Sequence, residues 1–242
     1  MIGVEKPNDI FGQALYSYWI GDRDIHHILR RDDGYGGKTD IGSYFDPEYF
    51  PDEDPVLSAA RGKILDVGCG AGRFLLYFQK LGFDITGIDI SPGAIAVCRE
   101  RGCREVRLMD IFQPEFAPAS FDTILLFGHN IGIGGTLTGA EKLLQILRLL
   151  IRPGGALLLN SLDPTAMEER YHQADHLVYK AEDGYLGSIK FRVEYKDRIG
   201  DWFNWVHLDS GVLRQLAEKT NWQVERLCES RQGDYSAVLR AR

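Results

Sequence analysis

From Lys63 to Asn160 the chain alternates short apolar runs with segments of helical period, and this alternation constrains the fold more than any other feature of its 242 residues. Five runs, KILDVG (63–68), DITGID (84–89), EVRLMD (105–110), FDTILLF (121–127) and ALLLN (156–160), are short and mostly apolar, as strands covered on both faces are. The segments between them carry helix signals. Ser91-Pro92 sets a capping hydroxyl before a proline suited to the first helical position, and Gly102 follows the last apolar residues. Thr138-Gly139-Ala140-Glu141 has the spacing of a capping box, and the leucine-rich helix it opens is expected to stop at Pro153-Gly154-Gly155. Strand and helix in this order predict an α/β fold with a parallel sheet.

The segment Asp66-Val67-Gly68-Cys69-Gly70-Ala71-Gly72 joins the first strand to a helix bearing Phe74, Leu75, Phe78 and Leu81. Glycines suit a sharp turn whose backbone must approach a ligand with no Cβ in the way. Asp89 ends the next strand about 20 residues on, where a carboxylate can accept hydrogen bonds from both hydroxyls of a ribose. Two cofactor classes share this geometry, and charge separates them. Counted from Gly68, the third glycine of the dinucleotide fingerprint G-x-G-x-x-G falls on Arg73. Asp66, at the mouth of the turn, repels a pyrophosphate but suits a ligand carrying an ammonium and a sulfonium.

ILDVGCGAGRF resembles the first motif, D-x-G-x-G-x-G, of class I S-adenosylmethionine-dependent methyltransferases, matched at Asp66, Gly68, Gly70 and Gly72. GIDIS resembles the second-strand motif ending in the ribose-binding acid, LMDIF the third-strand segment, FDTILLFGHN the fourth-strand motif, and LLIRPGGALLL the turn into the fifth strand. The resemblance implies a Rossmann-like methyltransferase fold: a seven-stranded, mostly parallel sheet with an antiparallel last strand and helices on both faces. It implies cofactor contacts at Asp66, Gly68, Cys69, Gly70 and Gly72, at Asp89 and Ile90, at Asp110 (to the adenine amino group) and Ile111, and at Phe127 and Gly128. S-adenosylmethionine would be the cofactor and S-adenosylhomocysteine the product. His129 follows the fourth strand, where the family borders the transferred methyl, and is the candidate base; the alternative is a residue that shapes the loop.

The length fits one α/β domain over 1–242, with an N-terminal cap segment (1–60), a cofactor core (61–160), an insertion (161–207) and a terminal helix and hairpin (208–242). In 1–60, Tyr16, Tyr18 and Trp19 sit in a helical stretch, and the residues after it read as loop-rich. IKFRVEYKDR (189–198) and WFNWVHL (202–208) read as two antiparallel strands around Ile199-Gly200-Asp201; a helix capped near Asp209 or Ser210 and a hairpin of WQVERLCE and YSAVLRAR close the chain. The N-terminal segment and the insertion would together cover the substrate.

A formal charge of −7 and a pI near 5.4 work against nucleic-acid binding, which draws on clustered Lys and Arg. A small-molecule acceptor is expected, with no membrane partner; the oligomeric state stays open. With no apolar leader or membrane-length run, and with Cys69, Cys98, Cys103 and Cys228 forming no C-x-x-C pair, the chain reads as cytoplasmic with reduced thiols.

Several further signals have bland readings beside them. Gly37-Lys38-Thr39 ends like a phosphate loop, but Asp32 replaces its first glycine. His172-Gln173-Ala174-Asp175-His176 resembles a metal motif with Asp in place of Glu; a solvated helix face is the simpler reading, and no metal is expected. Arg23, Arg30 and Arg31 lie among Asp22, Asp24, Asp32 and Asp33 and read as a salt-bridged surface. Cap aromatics such as Tyr35, Tyr44, Trp202, Phe203 and Trp205 either line an acceptor pocket or pack a core. Two other functions stay in view: a non-catalytic S-adenosylmethionine-binding protein and, disfavoured by Arg73 and Asp66, a nicotinamide-dependent oxidoreductase.

Overall fold

The computed structural model describes residues 8–23, 25–46, 56–165, 184–230 and 233–242. Helix α1 (Ile10–Trp19) opens on Asp9, whose carboxylate accepts from the Gly12 N–H at 2.9 Å. Among the described residues from 20 to 46 the stretch beyond it holds a hairpin, not loops alone. Strands β1 (His26–Arg31) and β2 (Gly36–Asp40) pair antiparallel, with His26 opposite Asp40 and Arg30 opposite Gly36. Asp33-Gly34 makes the turn, with Gly34 at φ +95°, the backbone that hairpin turns demand. The signal was there in the Asp-Gly pair, but HHILRR and GGKTD carry too few apolar residues to betray alternation.

Each apolar run of the core forms a strand. β3 (Ile64–Val67), α2 (Arg73–Lys80), β4 (Ile85–Asp89), α3 (Pro92–Glu100), β5 (Val106–Leu108), β6 (Phe121–Leu126), α4 (Leu137–Leu150) and β7 (Ile151–Leu162) follow in alternation. Ser91 caps α3 through the Ala94 N–H, with Pro92 at the first helical position, as its sequence demands. Helix α4 starts earlier than its capping box suggested: Thr136, not Thr138, accepts from the Gly139 N–H. It also ends earlier, because Ile151 is already extended and Arg152 precedes a proline, which disfavours helix. β7 therefore begins at Ile151 and runs through Pro153-Gly154-Gly155.

In the insertion, β8 (Ser188–Tyr195) turns back at Lys196-Asp197 into β9 (Arg198–Ile199), with Tyr195 opposite Arg198, so the turn comes before the expected 199–201. β10 (Phe203–Val206), α5 (Ser210–Lys219, capped by Asp209), β11 (Trp222–Glu229) and β12 (Asp234–Ala241) complete the order. The main sheet runs β11-β12-β7-β6-β3-β4-β5; β4 with β5 and β6 with β7 are parallel, while the last strand, β12, is antiparallel to both its neighbours. A second, five-stranded sheet runs β10-β8-β1-β2 with β9 on β8. Among the described residues no helix is long and apolar enough to cross a membrane.

The chain divides into two compact units, one of Met1–Asp52, Leu65–Glu115 and Phe191–Phe203, the other of Glu53–Ile64, Phe116–Lys190 and Asn204–Arg242. In the first, α1 lies close on α3 because both helices carry glycine at the contact: a Cβ on Gly93 would come within 2.6 Å of the Gly12 backbone. Asp9 locks this contact. Its carboxylate accepts not only from Gly12 but from the Ser91 hydroxyl at 2.8 Å and the Gly93 N–H at 2.8 Å, so one side chain satisfies both helix starts. Ile10, Ala14 and Leu15 are thereby buried against Ala71, Ala94 and Val97. Given about 1 kcal/mol for a cap and somewhat more for charged hydrogen bonds, Asp9→Ala should lower the unfolding free energy by about 2 kcal/mol, measured by urea titration.

Candidate functional site

The turn after β3 is built on left-handed glycines: Gly68, Gly70 and Gly72 have φ of +74°, +53° and +79°. Each angle is one that L side chains resist. A Cβ at Gly72 would also meet the Cys103 and Cys98 sulfurs at 2.7 and 2.9 Å, whereas one at Gly70 would meet nothing within 4 Å. Gly70 faces open space. The turn is strung to the next strand by the Gly68 and Cys69 N–H groups, which donate to the Ile88 carbonyl at 2.9 and 3.0 Å.

Asp89 closes the loop. Its Oδ2 accepts from the Gly70 N–H and its Oδ1 from the Ser91 N–H, both at 2.9 Å. Burial pushes its carboxyl above the usual range, opposed by those two N–H groups. Asp66 is 1% exposed, and among the described residues its Oδ2 has no hydrogen-bond partner. Burial pushes its pKa up to about 7, with Arg73 pulling it down and Asp89 adding to the rise. Such a group gains from a cationic ligand more than from any other. Beside it, Ile90 is 70% exposed, a large apolar side chain presented beyond the acid. Asp110 is exposed, with Oδ1 accepting from the Phe112 N–H, and Ile111 is buried. All of these lie in the first unit.

In the second unit β6 ends at Leu126, Phe127 is buried, and the chain turns through Gly128 (φ +81°) and His129 (φ +60°). Left-handed backbone at a histidine costs about 1–3 kcal/mol and persists only where the surroundings impose it. Here Asn160 of β7 imposes it, accepting the His129 N–H at 3.0 Å. The His129 Nε2 lies 3.6 Å from Asp234 Oδ1, and its ring meets His207 edge-on at 5.4 Å. His207 is buried, and burial with the neighbouring His129 lowers its pKa to about 3.

A model of the methyltransferase domain matches residues 64–155. A ubiquinone biosynthesis O-methyltransferase of Xanthomonas euvesicatoria is 29% identical over 45% of this chain and 46% of its own. A 23S rRNA (uracil(747)-C(5))-methyltransferase of Pyrococcus abyssi is 28% identical over 76% of this chain and 48% of its own. The chain spans about half the length of the curated relatives it matches. Among solved structures, a SAM-dependent methyltransferase from Bacteroides fragilis, in complex with S-adenosyl-L-homocysteine, is 30% identical with a TM-score of 0.83, over 98% of this chain and 97% of that one. The chain belongs to the S-adenosylmethionine-dependent methyltransferases. Its α/β fold, with the mixed seven-stranded sheet, is the class I, Rossmann-like fold of that enzyme family, whose cofactor is S-adenosylmethionine.

For this methyltransferase the residues singled out in the sequence fall into two groups: Asp66 through Gly72, Asp89, Ile90, Asp110 and Ile111 share the first unit, and Phe127, Gly128 and His129 the second. Missed were Asp9, whose signal was only an Asp three residues before a glycine, and the sulfur of Cys98, which donates to the Gly70 carbonyl at 3.1 Å. Missed too were Asn160, His207 and Asp234, which no local pattern links to His129. Of the arginines read as a salt-bridged surface, Arg31 pairs with Asp33 as expected but is buried, Arg30 pairs instead with Glu194 at 2.8 Å, and Arg23 lies 4.6 Å over the Tyr18 ring. Asp24, His172 and His176 lie outside the described residues. Tyr16, Tyr18, Trp19 and Tyr44 pack on the first unit's core, Trp205 closes over Gly132, and Trp202 and Phe203 stay exposed. Tyr35 lies beneath the Arg31 guanidinium, 5.6 Å from its ring centre.

Asp66 gives this site a measurable pH signature. Folding raises its pKa from 3.8 to about 7, so between those values the folded chain holds a proton that the unfolded chain has lost. Stability contributed by that proton is present below pH 4 and lost as pH rises towards 7. Denaturation of the ligand-free protein across this range should show wild type losing stability relative to Asp66→Asn; parallel curves would contradict the assignment.

Proposed function

We propose that this chain transfers a methyl group from S-adenosylmethionine to a small-molecule acceptor. The observation that carries the reading is the buried Asp66 carboxyl, whose Oδ2 has no hydrogen-bond partner among the described residues, beside a turn of left-handed glycines, a cradle suited to a ligand with an ammonium and a sulfonium. Asp89, pre-set by Gly70 and Ser91, keeps lone pairs for ribose hydroxyls. Ile90 and Ile111 would flank the adenine, Asp110 would take its amino group, and Cys69, Phe127 and Gly128 would complete the cofactor contacts.

When bound, the cofactor supplies a methyl group on a positively charged sulfur, already activated for displacement. The protein's share is then to align the acceptor and exclude water. His129 would take the proton of an acceptor that holds one at neutral pH, and residues 1–60 and 161–207 would cover the acceptor. A small acceptor is supported by the net charge of −7 and by the relative named for ubiquinone biosynthesis. The relative named for 23S rRNA points elsewhere, but tracking a phosphate backbone calls for the basic excess this chain lacks. Four free thiols, three of them buried, together with the absence of a membrane-length apolar helix among the described residues, support a reducing, cytoplasmic setting.

Loss of the ribose acceptor tests the cofactor reading directly. Asp89→Ala should weaken S-adenosylhomocysteine binding at least about tenfold by calorimetry, the equivalent of about 1.4 kcal/mol; equal affinity would remove Asp89 from the site. Incubating the wild type with radiolabelled S-adenosylmethionine and fractionated metabolite extract should label a small molecule and leave added RNA unlabelled.

A further inference from the structure

We infer that Cys98, buried on α3, is a positioning residue for the cofactor turn: its thiol holds the Gly70 carbonyl and so fixes the residue whose N–H is given to Asp89. This inference rests on the proposed function, since it assigns a role within that cofactor site. All the residues involved lie in the first unit.

α3 and the link beyond it meet the turn with three side chains. The Cys98 Sγ–H donates to the Gly70 carbonyl at 3.1 Å, and the Arg101 guanidinium donates to the Ala71 carbonyl. The Cys103 thiol reaches the Gly72 carbonyl at 3.9 Å, long even for sulfur. Three successive carbonyls are thus held by two residues a helical turn apart and a third just beyond the helix. The two sulfurs stand so close that Gly72 has no room for a Cβ.

Gly70 is where the restraint matters most. With φ +53° and no Cβ it is intrinsically free to reorient, yet side chains hold both its backbone groups, the N–H by Asp89 Oδ2 at 2.9 Å and the carbonyl by Cys98. In a trans peptide the C=O and N–H point opposite ways, so the bond to Cys98 also sets the direction of the Ala71 N–H. Losing that bond leaves Gly70 with one restraint of two and lets the Gly70–Ala71 peptide rotate beside the acid proposed for the ribose.

A thiol is a weak donor, and its surroundings make this one count. Cys98 is fully buried, shielded from competing water. Its other polar neighbours include the thiols of Cys69 and Cys103, whose sulfurs are weaker acceptors than a carbonyl oxygen, so its single proton goes to Gly70. The contact with Cys103 favours ionisation of Cys98, but the contact with Cys69 and burial outweigh it and hold the thiol above its usual range, so the donor keeps its proton at neutral pH.

Calorimetry of the full chain with S-adenosylhomocysteine tests the role. Cys98→Ala should weaken binding at least about threefold, in the range of one neutral hydrogen bond. Cys98→Val, which fills the space but cannot donate, should weaken it as much. Cys98→Ser, which can donate, should return affinity to within about twofold of wild type. In infrared spectra of the ligand-free wild type, the S–H stretching band that Cys98→Ser removes should lie at the lowered frequency of a hydrogen-bonded thiol. Full affinity in Cys98→Val, or a band at the frequency of a free thiol, would overturn the inference alone. A wild type that binds no S-adenosylhomocysteine would overturn the cofactor reading, and this inference with it.

Discussion

Asp89 is the joint on which the first unit turns. Its two carboxylate oxygens receive N–H groups from Gly70 and Ser91, so the turn after β3 and the start of α3 are held by one side chain. The glycine turn is intrinsically disfavoured by the entropy of its residues, and α3 begins with N–H groups that need acceptors. Ser91 extends the joint to Asp9, and Asp9 extends it to α1. A chain of carboxylates and helix starts thus runs from the candidate cofactor loop into the N-terminal helix.

That arrangement concentrates acid where the local field is least screened. Asp66 and Asp89 both have raised pKa values, chiefly from burial; Asp89 makes ionising Asp66 harder, and Asp9 does the same to Asp89. Among the described residues the Asp66 Oδ2 has no hydrogen-bond partner, and a buried acceptor left so costs stability. The second unit carries the complementary chemistry: imidazoles, one held neutral by burial and one beside an exposed carboxylate.

How much of this was legible beforehand depended on the distance over which each signal acts. The five core strands, the cap of α3 and the terminal hairpin rest on contiguous apolar runs or on residues three apart, and they stand where the chain suggests. The β1-β2 hairpin was hidden because four of the five residues of β2 are glycine or charged, and the pairing of β1 with β8, Leu29 opposite Val193, joins residues more than 160 positions apart. Thr136 displaced Thr138 as the cap of α4 because a capping box fixes spacing but not which of two nearby hydroxyls the chain geometry selects.

Residue order alone determined the family motif, the run of glycines that only left-handed backbone can use, and the acid that ends the second core strand, since each is encoded within one strand and its following turn. Only the tertiary structure decided that Asp66 is sealed from water, that Asp9 caps two helices, and that Asp234 and His207 flank His129. Burial and hydrogen bonding between residues far apart in the chain depend on sheet register and helix contact, which emerge only when every strand has found its neighbour.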